Sequence, residues 1–157
     1  MSKAFNCEGC YTVKTPTNVS SFENYWDKAD ECVIIHTHGS STSLSNHGEN
    51  GTTPEIISTN GIENLPTNNR IKFIMMTACK TASGTWNDNV AYWLSKRINS
   101  NGIVIANQDE VEGYDEKFYG VSCKATWKVY KNGVIQDPIS NVILTMQDAY
   151  DIYQLYK

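Results

Sequence analysis

The chain has 157 residues, 40% of them apolar and only 19% charged, with a net charge of −4 at neutral pH. That length suits one domain with a real core, and the acidic balance argues against a general nucleic-acid or anionic-membrane surface. No run approaches the ~18 apolar residues of a spanning helix, and Met1–Asn6 lacks the apolar core of a secretory leader. The expectation is a cytoplasmic protein, with secretion by another route or excision from a larger protein left open.

Residues 1–18 read as polar and irregular, apart from a short strand at Tyr11–Lys14. Ser20 then caps a helix reaching Trp26, with Glu23 in its first turn and Phe22, Tyr25 and Trp26 on one face. Cys32–His36 is a buried strand. Gly39–Asn69 is rich in Ser, Asn, Gly and Thr and hints at one helical turn, Pro54–Ile57. A loop that long is expected to serve a site.

Ile71–Thr77 is the second apolar strand. Between Trp86 and Ile98 the apolar residues fall at 86, 90, 93, 94 and 98, the spacing of an amphipathic helix. Asn101-Gly102 ends it, and Ile103–Ala106 is a third buried strand. Strand, helix and strand in that order predict a right-handed parallel crossover. Cys123–Tyr130 runs through Lys131-Asn132-Gly133 into Val134-Ile135, a hairpin signal. Ser140–Tyr156 reads as a helix with Val142, Ile143, Met146, Tyr150, Ile152 and Tyr153 on a broad apolar face. Trp26, Trp86, Trp93 and Trp127 read as core and helix-packing residues. With no repeat or linker, residues 1–157 form a single α/β domain.

The five cysteines are odd in number and scattered, so in a monomer at least one thiol stays reduced. Cys7-Glu8-Gly9-Cys10 is a lone CxxC pair, a weak pointer to zinc or redox chemistry without a second pair. Cys32 and Cys123 read as core or strand residues.

The chemistry concentrates in two segments, Val33-Ile34-Ile35-His36-Thr37-His38-Gly39 and Phe73-Ile74-Met75-Met76-Thr77-Ala78-Cys79. Each carries an apolar run to a reactive side chain. Neighbouring parallel strands ending this way deliver an imidazole and a thiol to the carboxyl edge of a sheet, where open α/β folds keep their active sites. Imidazole can move protons at neutral pH, and a neighbouring His lowers a thiol's pKa. His38 and Cys79 are therefore the candidate base and nucleophile. The Gly39 and Cys79 amides are the candidate oxyanion donors, since glycine lets a substrate backbone come close. His38 is preferred to His36 and His47 because it closes the strand and a glycine follows; His47 is a spare base in a polar loop.

His38-Gly39 after one apolar strand, and Thr77-Ala78-Cys79-Lys80-Thr81 after another about 40 residues on, resemble the caspase-like cysteine peptidases of clan CD. The bacterial CHAT-domain group is the nearest match, with a T-H-G-like and an A-C-E-T-like motif. The resemblance spans roughly residues 30–112. It implies a three-layer α/β/α fold, a mostly parallel central sheet and a C-terminal hairpin and helix. It also implies cysteine endopeptidase activity on a protein or peptide, with His38 as general base and acid, Cys79 as nucleophile and no cofactor. Activation in such domains often needs calcium, cleavage, an effector or a regulatory partner, none of which the residues identify. Only about 30 residues precede the histidine strand, which implies a reduced amino-terminal part of the sheet or a domain excised from a longer chain. The family builds part of its S1 pocket from the loop after the third strand, here Asn107–Glu112. Acids there, Asp109 and Glu110 foremost, predict cleavage after Arg or Lys.

Two other readings use the same residues. His36 and His38 alternate on one strand face, as metal ligands do, and with the Gly51–Glu55 stretch they resemble the opening of a PHP-type metal-dependent phosphoesterase. The chain has only three histidines, and no Asp stands two residues beyond His38. The other alternative is a caspase-like interaction or effector module whose proteolysis is weak or switched.

Overall fold

The structure, a computed structural model, describes residues 14–46, 49–110, 123–136, 139–144 and 146–156. Its central feature is a set of apolar runs too rich in Ile, Val and Met to leave in water. Three of them, β1 (Glu31–Ile35), the Ile71–Met76 strand and the Ile103–Asn107 strand, pair in parallel at the heart of a mixed sheet. In chain order β2 (His38–Gly39), β3 (Ser43–Ser45) and β4 (Glu55–Ser58) precede β5 (Ile71–Met76) and β6 (Ile103–Asn107). Then follow β7 (Cys123–Lys131), β8 (Val134–Ile135) and β9 (Ile139–Leu144). Among the described residues the main sheet has six strands, ordered β1-β5-β6-β7-β8, with β9 also on β7. The last three pair antiparallel, so this is a mixed α/β fold whose parallel part leads to the candidate site.

Strand alternation sorts the core into two sides. Ile74, Met76, Val104, Ala106 and Tyr130 meet α1 (Val19–Lys28), α2 (Thr59–Glu63) and α3 (Val90–Lys96) through Phe22, Trp26, Ile62, Val90 and Leu94. Phe73, Met75, Ile103, Ile105, Trp127 and Val129 form the second cluster, against which Ile152, Tyr153 and Tyr156 of α4 (Met146–Tyr156) pack. Each fully buried side chain of this kind contributes ~1.5–3 kcal/mol. The Tyr153 ring stacks on Phe73 at 5.6 Å, and Lys131 Nζ donates to the Tyr156 carbonyl at 2.6 Å. That bond places a cation at the helix C-terminus, where the backbone dipole favours one.

Several boundaries differ from the sequence expectation. The first helix is capped by Asn18, whose side chain accepts from Ser21 N, while Ser21 Oγ accepts from Asn18 N. Both donors of the first turn are thereby satisfied, and the helix starts at Val19, earlier than a Ser20 cap allows. The third helix begins at Val90, because Asn89 caps it through Tyr92 N at 2.9 Å. Trp86 is consequently in the preceding turn and 55% exposed, not core.

Pro54–Ile57 is no helical turn: Glu55–Ser58 is β4, which pairs antiparallel with β3 and buries Ile56 and Ile57. The expected 30-residue loop is thus a small sheet, β2-β3-β4, followed by α2. The tail is also divided. Ile139–Leu144 pairs with β7, and only Met146–Tyr156 is helical. Val142 and Ile143 suit a strand's branched preference as well as a helix face, so the run could be read either way. The Asn132-Gly133 turn is as expected, with φ of 47° and 77° matching a type I′ hairpin. Cys7, Cys10, nearly all of the Tyr11–Lys14 strand and His47 lie outside the described residues.

Candidate active site

β1 and β5 end level, with Ile35 opposite Met76. Thr77 N donates back to the Ile35 carbonyl at 3.0 Å, so His36 and Thr77 leave the sheet side by side. His36 Nδ1 lies 2.7 Å from Thr77 Oγ1. The Thr77 hydroxyl also reaches the Ile35 carbonyl, at 3.4 Å. The apolar strand stops at Ile35, so His38 does not close it. His38 and Gly39 instead form β2 of the small sheet, where the chain has turned away to pair with Ser45 and Leu44. The Thr37 hydroxyl bonds the Ser45 carbonyl and helps make that turn.

This turn brings β2 onto the Cys79 loop. A Cβ at Gly39 would stand 2.8 Å from the Cys79 carbonyl oxygen, 2.8 Å from Thr81 Cγ2 and 2.9 Å from Ala78 Cβ. The close neighbours that demand glycine are thus the Cys79 carbonyl and the Thr81 and Ala78 side chains of the chain's own loop. Ladder alternation also sets the Gly39 amide. Ser40 N donates to the Ser43 carbonyl at 2.9 Å, so Ser40/Ser43 is a hydrogen-bonded pair and Gly39/Leu44, next along, is not. The Gly39 N–H accordingly points away from β3.

Cys79 follows the buried Ala78, half-buried and as a thiol. Lys80 then takes a left-handed conformation, φ 56°, which costs a non-glycine residue ~1–2 kcal/mol. The surroundings hold it there: Lys80 N donates to the Asp109 carbonyl at 2.9 Å, and Ser83 N and Oγ donate to the Lys80 carbonyl at 3.0 and 2.8 Å. Lys80 Nζ meets Glu110 Oε1 at 2.9 Å. The Glu110 hydrogen bond, with its charge, holds the ammonium above its ordinary range. Glu110, expected to face a substrate cation, is therefore engaged by Lys80, while Asp109 stands exposed beside it.

Asn107 is not part of that loop, as the sequence expectation had it. It is the last residue of β6 and 0% exposed. The signal for it was an amide closing the apolar run Ile103–Ala106. The acidic loop starts at Gln108, and residues 111–112 of it lie outside the described residues. Cys32 has a different environment from Cys79: burial first, then the neighbouring Glu31 carboxylate, pushes its thiol up to about 12. A shallow cleft of about 200 Å³ between Trp26, Pro66 and Arg70 lies near the amino end of β5, the other end of the strand from Cys79. No protein family, curated protein or solved structure matches the chain.

Proposed function

We propose that the protein is a cysteine endopeptidase with a caspase-like three-layer α/β/α fold, Cys79 its nucleophile and His38 its base and acid. The observation that carries the reading is the contact of β2 with the nucleophile loop. Gly39, the residue after His38, lies on the Cys79 carbonyl, beyond the carboxyl ends of the parallel strands β1 and β5. The helices on both sheet faces and the β7-β8 hairpin followed by α4 support the fold. The orientation of the Gly39 N–H supports an oxyanion donor there.

In this mechanism His38 takes the thiol proton, and the Cys79 thiolate attacks the scissile carbonyl. The Gly39 and Cys79 amides receive the oxyanion that forms. His38 returns the proton to the leaving amine as the carbon–nitrogen bond breaks. Water, deprotonated by His38, then releases the acyl group and regenerates the thiol. The Asp109 and Glu110 carboxylates favour Arg or Lys at the cleaved bond, and the substrate is a protein or peptide.

The test is mass spectrometry after treatment with an electrophilic peptide probe. The native protein is expected to carry the probe on Cys79 alone, with labelling abolished in Cys79→Ala and sharply slowed in His38→Ala. Labelling of another cysteine, or full labelling without His38, refutes the assignment. A folded protein inert to the probe, with calcium or without, would instead favour the interaction-module reading.

A further inference from the structure

We propose that Asn107 is a positioning residue that aims the Cys79 amide at the oxyanion; the inference rests on the peptidase reading above. Its Nδ2 donates to the Met76 carbonyl at 2.8 Å and to the Ala78 carbonyl at 3.2 Å. Its own carbonyl accepts from Ala82 N at 2.8 Å, and two residues on Asp109 accepts from Lys80 N. Residues 76, 78, 80 and 82 are thus each tied to the end of β6, so both peptide planes that flank Cys79 are held.

The geometry of those planes decides what the holding does. The Ala78 carbonyl and the Cys79 N–H belong to one trans peptide unit and point in opposite directions. Fixing the Ala78 oxygen fixes the direction of the Cys79 N–H. Asn107 Nδ2 and the Thr81 hydroxyl, at 3.2 Å, converge on that oxygen. In the next plane Lys80 N–H is held by Asp109, so the Cys79 carbonyl points the other way, consistent with its place against Gly39. An oxyanion donor aimed in advance needs no reorganisation as the charge develops.

A cost accompanies the clamp. Asn107 Oδ1 is buried and has no hydrogen-bond partner among the described residues. A buried acceptor left unpaired costs ~1–3 kcal/mol, so the side chain is a poor choice for stability alone. Replacing it by leucine removes two modest bonds and that penalty together. The buried Met76 carbonyl loses this donor, which offsets the penalty removed, so the net change in stability is small while the hold on the Cys79 amide falls to Thr81 alone.

Two reactions of the same thiol separate aim from architecture. Alkylation by iodoacetamide forms a carbon–sulfur bond as iodide leaves with the electron pair, and no oxyanion arises. Acylation by p-nitrophenyl esters of N-acetyl-arginine and N-acetyl-leucine passes through a tetrahedral oxyanion before nitrophenolate leaves. Asn107→Leu is expected to slow acylation by about 10–100-fold with little change in KM and an unchanged rate of Cys79 alkylation.

Thr81→Val, which removes the other donor to the Ala78 carbonyl, should slow acylation alone by about tenfold, and it stands as the test if Asn107→Leu does not fold. Parallel loss of both reactions, or loss of neither, overturns the inference. A native protein that neither acylates nor alkylates at Cys79 overturns the peptidase reading and the inference with it.

Discussion

Gly39 and Cys79 are in backbone contact: a methyl group on the Gly39 α-carbon would sit 2.8 Å from the Cys79 carbonyl oxygen. The obstacle is main chain, which cannot rotate aside as a flexible side-chain end can. Gly39→Ala must therefore push β2 from the loop or shift the loop itself. Overpacking of this kind costs ~1–3 kcal/mol, and a displacement of about 1 Å at a reacting group can cost ~100-fold in rate. If the protein is the peptidase proposed, Gly39→Ala is expected to lower kcat/KM for peptide cleavage at least about tenfold, and in any case to lower the thermal midpoint. Native activity in a folded Gly39→Ala protein would mean that the contact does not matter to the chemistry.

The Cys32 thiol should resist alkylation until high pH. Burial, with Glu31 beside it, lifts the Cys32 thiol from an ordinary value of 9.0 to about 12. Since the thiolate is the reactive form, iodoacetamide should leave Cys32 of the folded protein nearly untouched below pH ~11 and modify it readily once the chain is denatured. The sign for stability follows. Between pH 9.0 and about 12 the unfolded chain gives up this proton and the folded one keeps it, so stability falls as pH rises through that window. Cys32→Ala should flatten that fall, measured as the denaturation midpoint against pH. An identical slope in both proteins would refute the shift.

The parallel strands were legible to within a residue at each end because hydrophobic runs that stop at polar residues carry their own boundaries, but His38, expected to close the first, lies beyond it in β2. Cys32–Ile35, Ile71–Met76 and Ile103–Ala106 fall inside observed strands. What local pattern could not reveal depends on partners distant in sequence. Pro54–Ile57 becomes a strand because Ser43–Ser45 lies beside it. Ile139–Leu144 becomes one because β7 offers an open edge. Asn107 reads as a surface amide until Met76 and Ala78, about 30 residues earlier, are seen to meet it. Glycine at 39 was readable as a close approach, but the group that approaches was not.

Asn89 and Tyr130 hold the turn after the Cys79 loop. Asn89 Oδ1 caps α3, its Nδ2 donates to the Tyr130 hydroxyl at 2.9 Å, and that hydroxyl donates to the Trp86 carbonyl at 3.2 Å. Both side chains are fully buried. Tyr130→Phe removes one donor and leaves Asn89 Nδ2 short of a partner, a loss of about 1–2 kcal/mol. Asn89→Ala loses the cap as well and should cost about 2 kcal/mol or more. Asn89→Asp, which keeps the capping oxygen, should fall between native and Ala. Urea denaturation ranks the three, and an Asp variant no better than Ala would deny the cap its share.

Under the proposed peptidase reading, the charges beside Cys79 give a prediction about specificity. Lys80 occupies Glu110 at 2.9 Å, with both side chains largely in solvent, so the pair contributes only ~0–1 kcal/mol to stability. Its importance lies in competition: under the basic-specificity reading, a substrate arginine must share Glu110 with the ammonium of Lys80. Lys80→Met keeps an unbranched side chain at the same left-handed position and leaves Asp109 and Glu110 without that cation. kcat/KM for peptides cut after Arg should rise by about three- to fivefold, the scale of ~1 kcal/mol, and the gain should shrink as salt screens it. Asp109→Asn combined with Glu110→Gln should lower the same parameter and leave cleavage after Leu unchanged. If Lys80→Met instead favours an acidic residue at the cleaved bond, or the double variant cuts after Arg as well as the native protein does, these carboxylates do not choose the substrate.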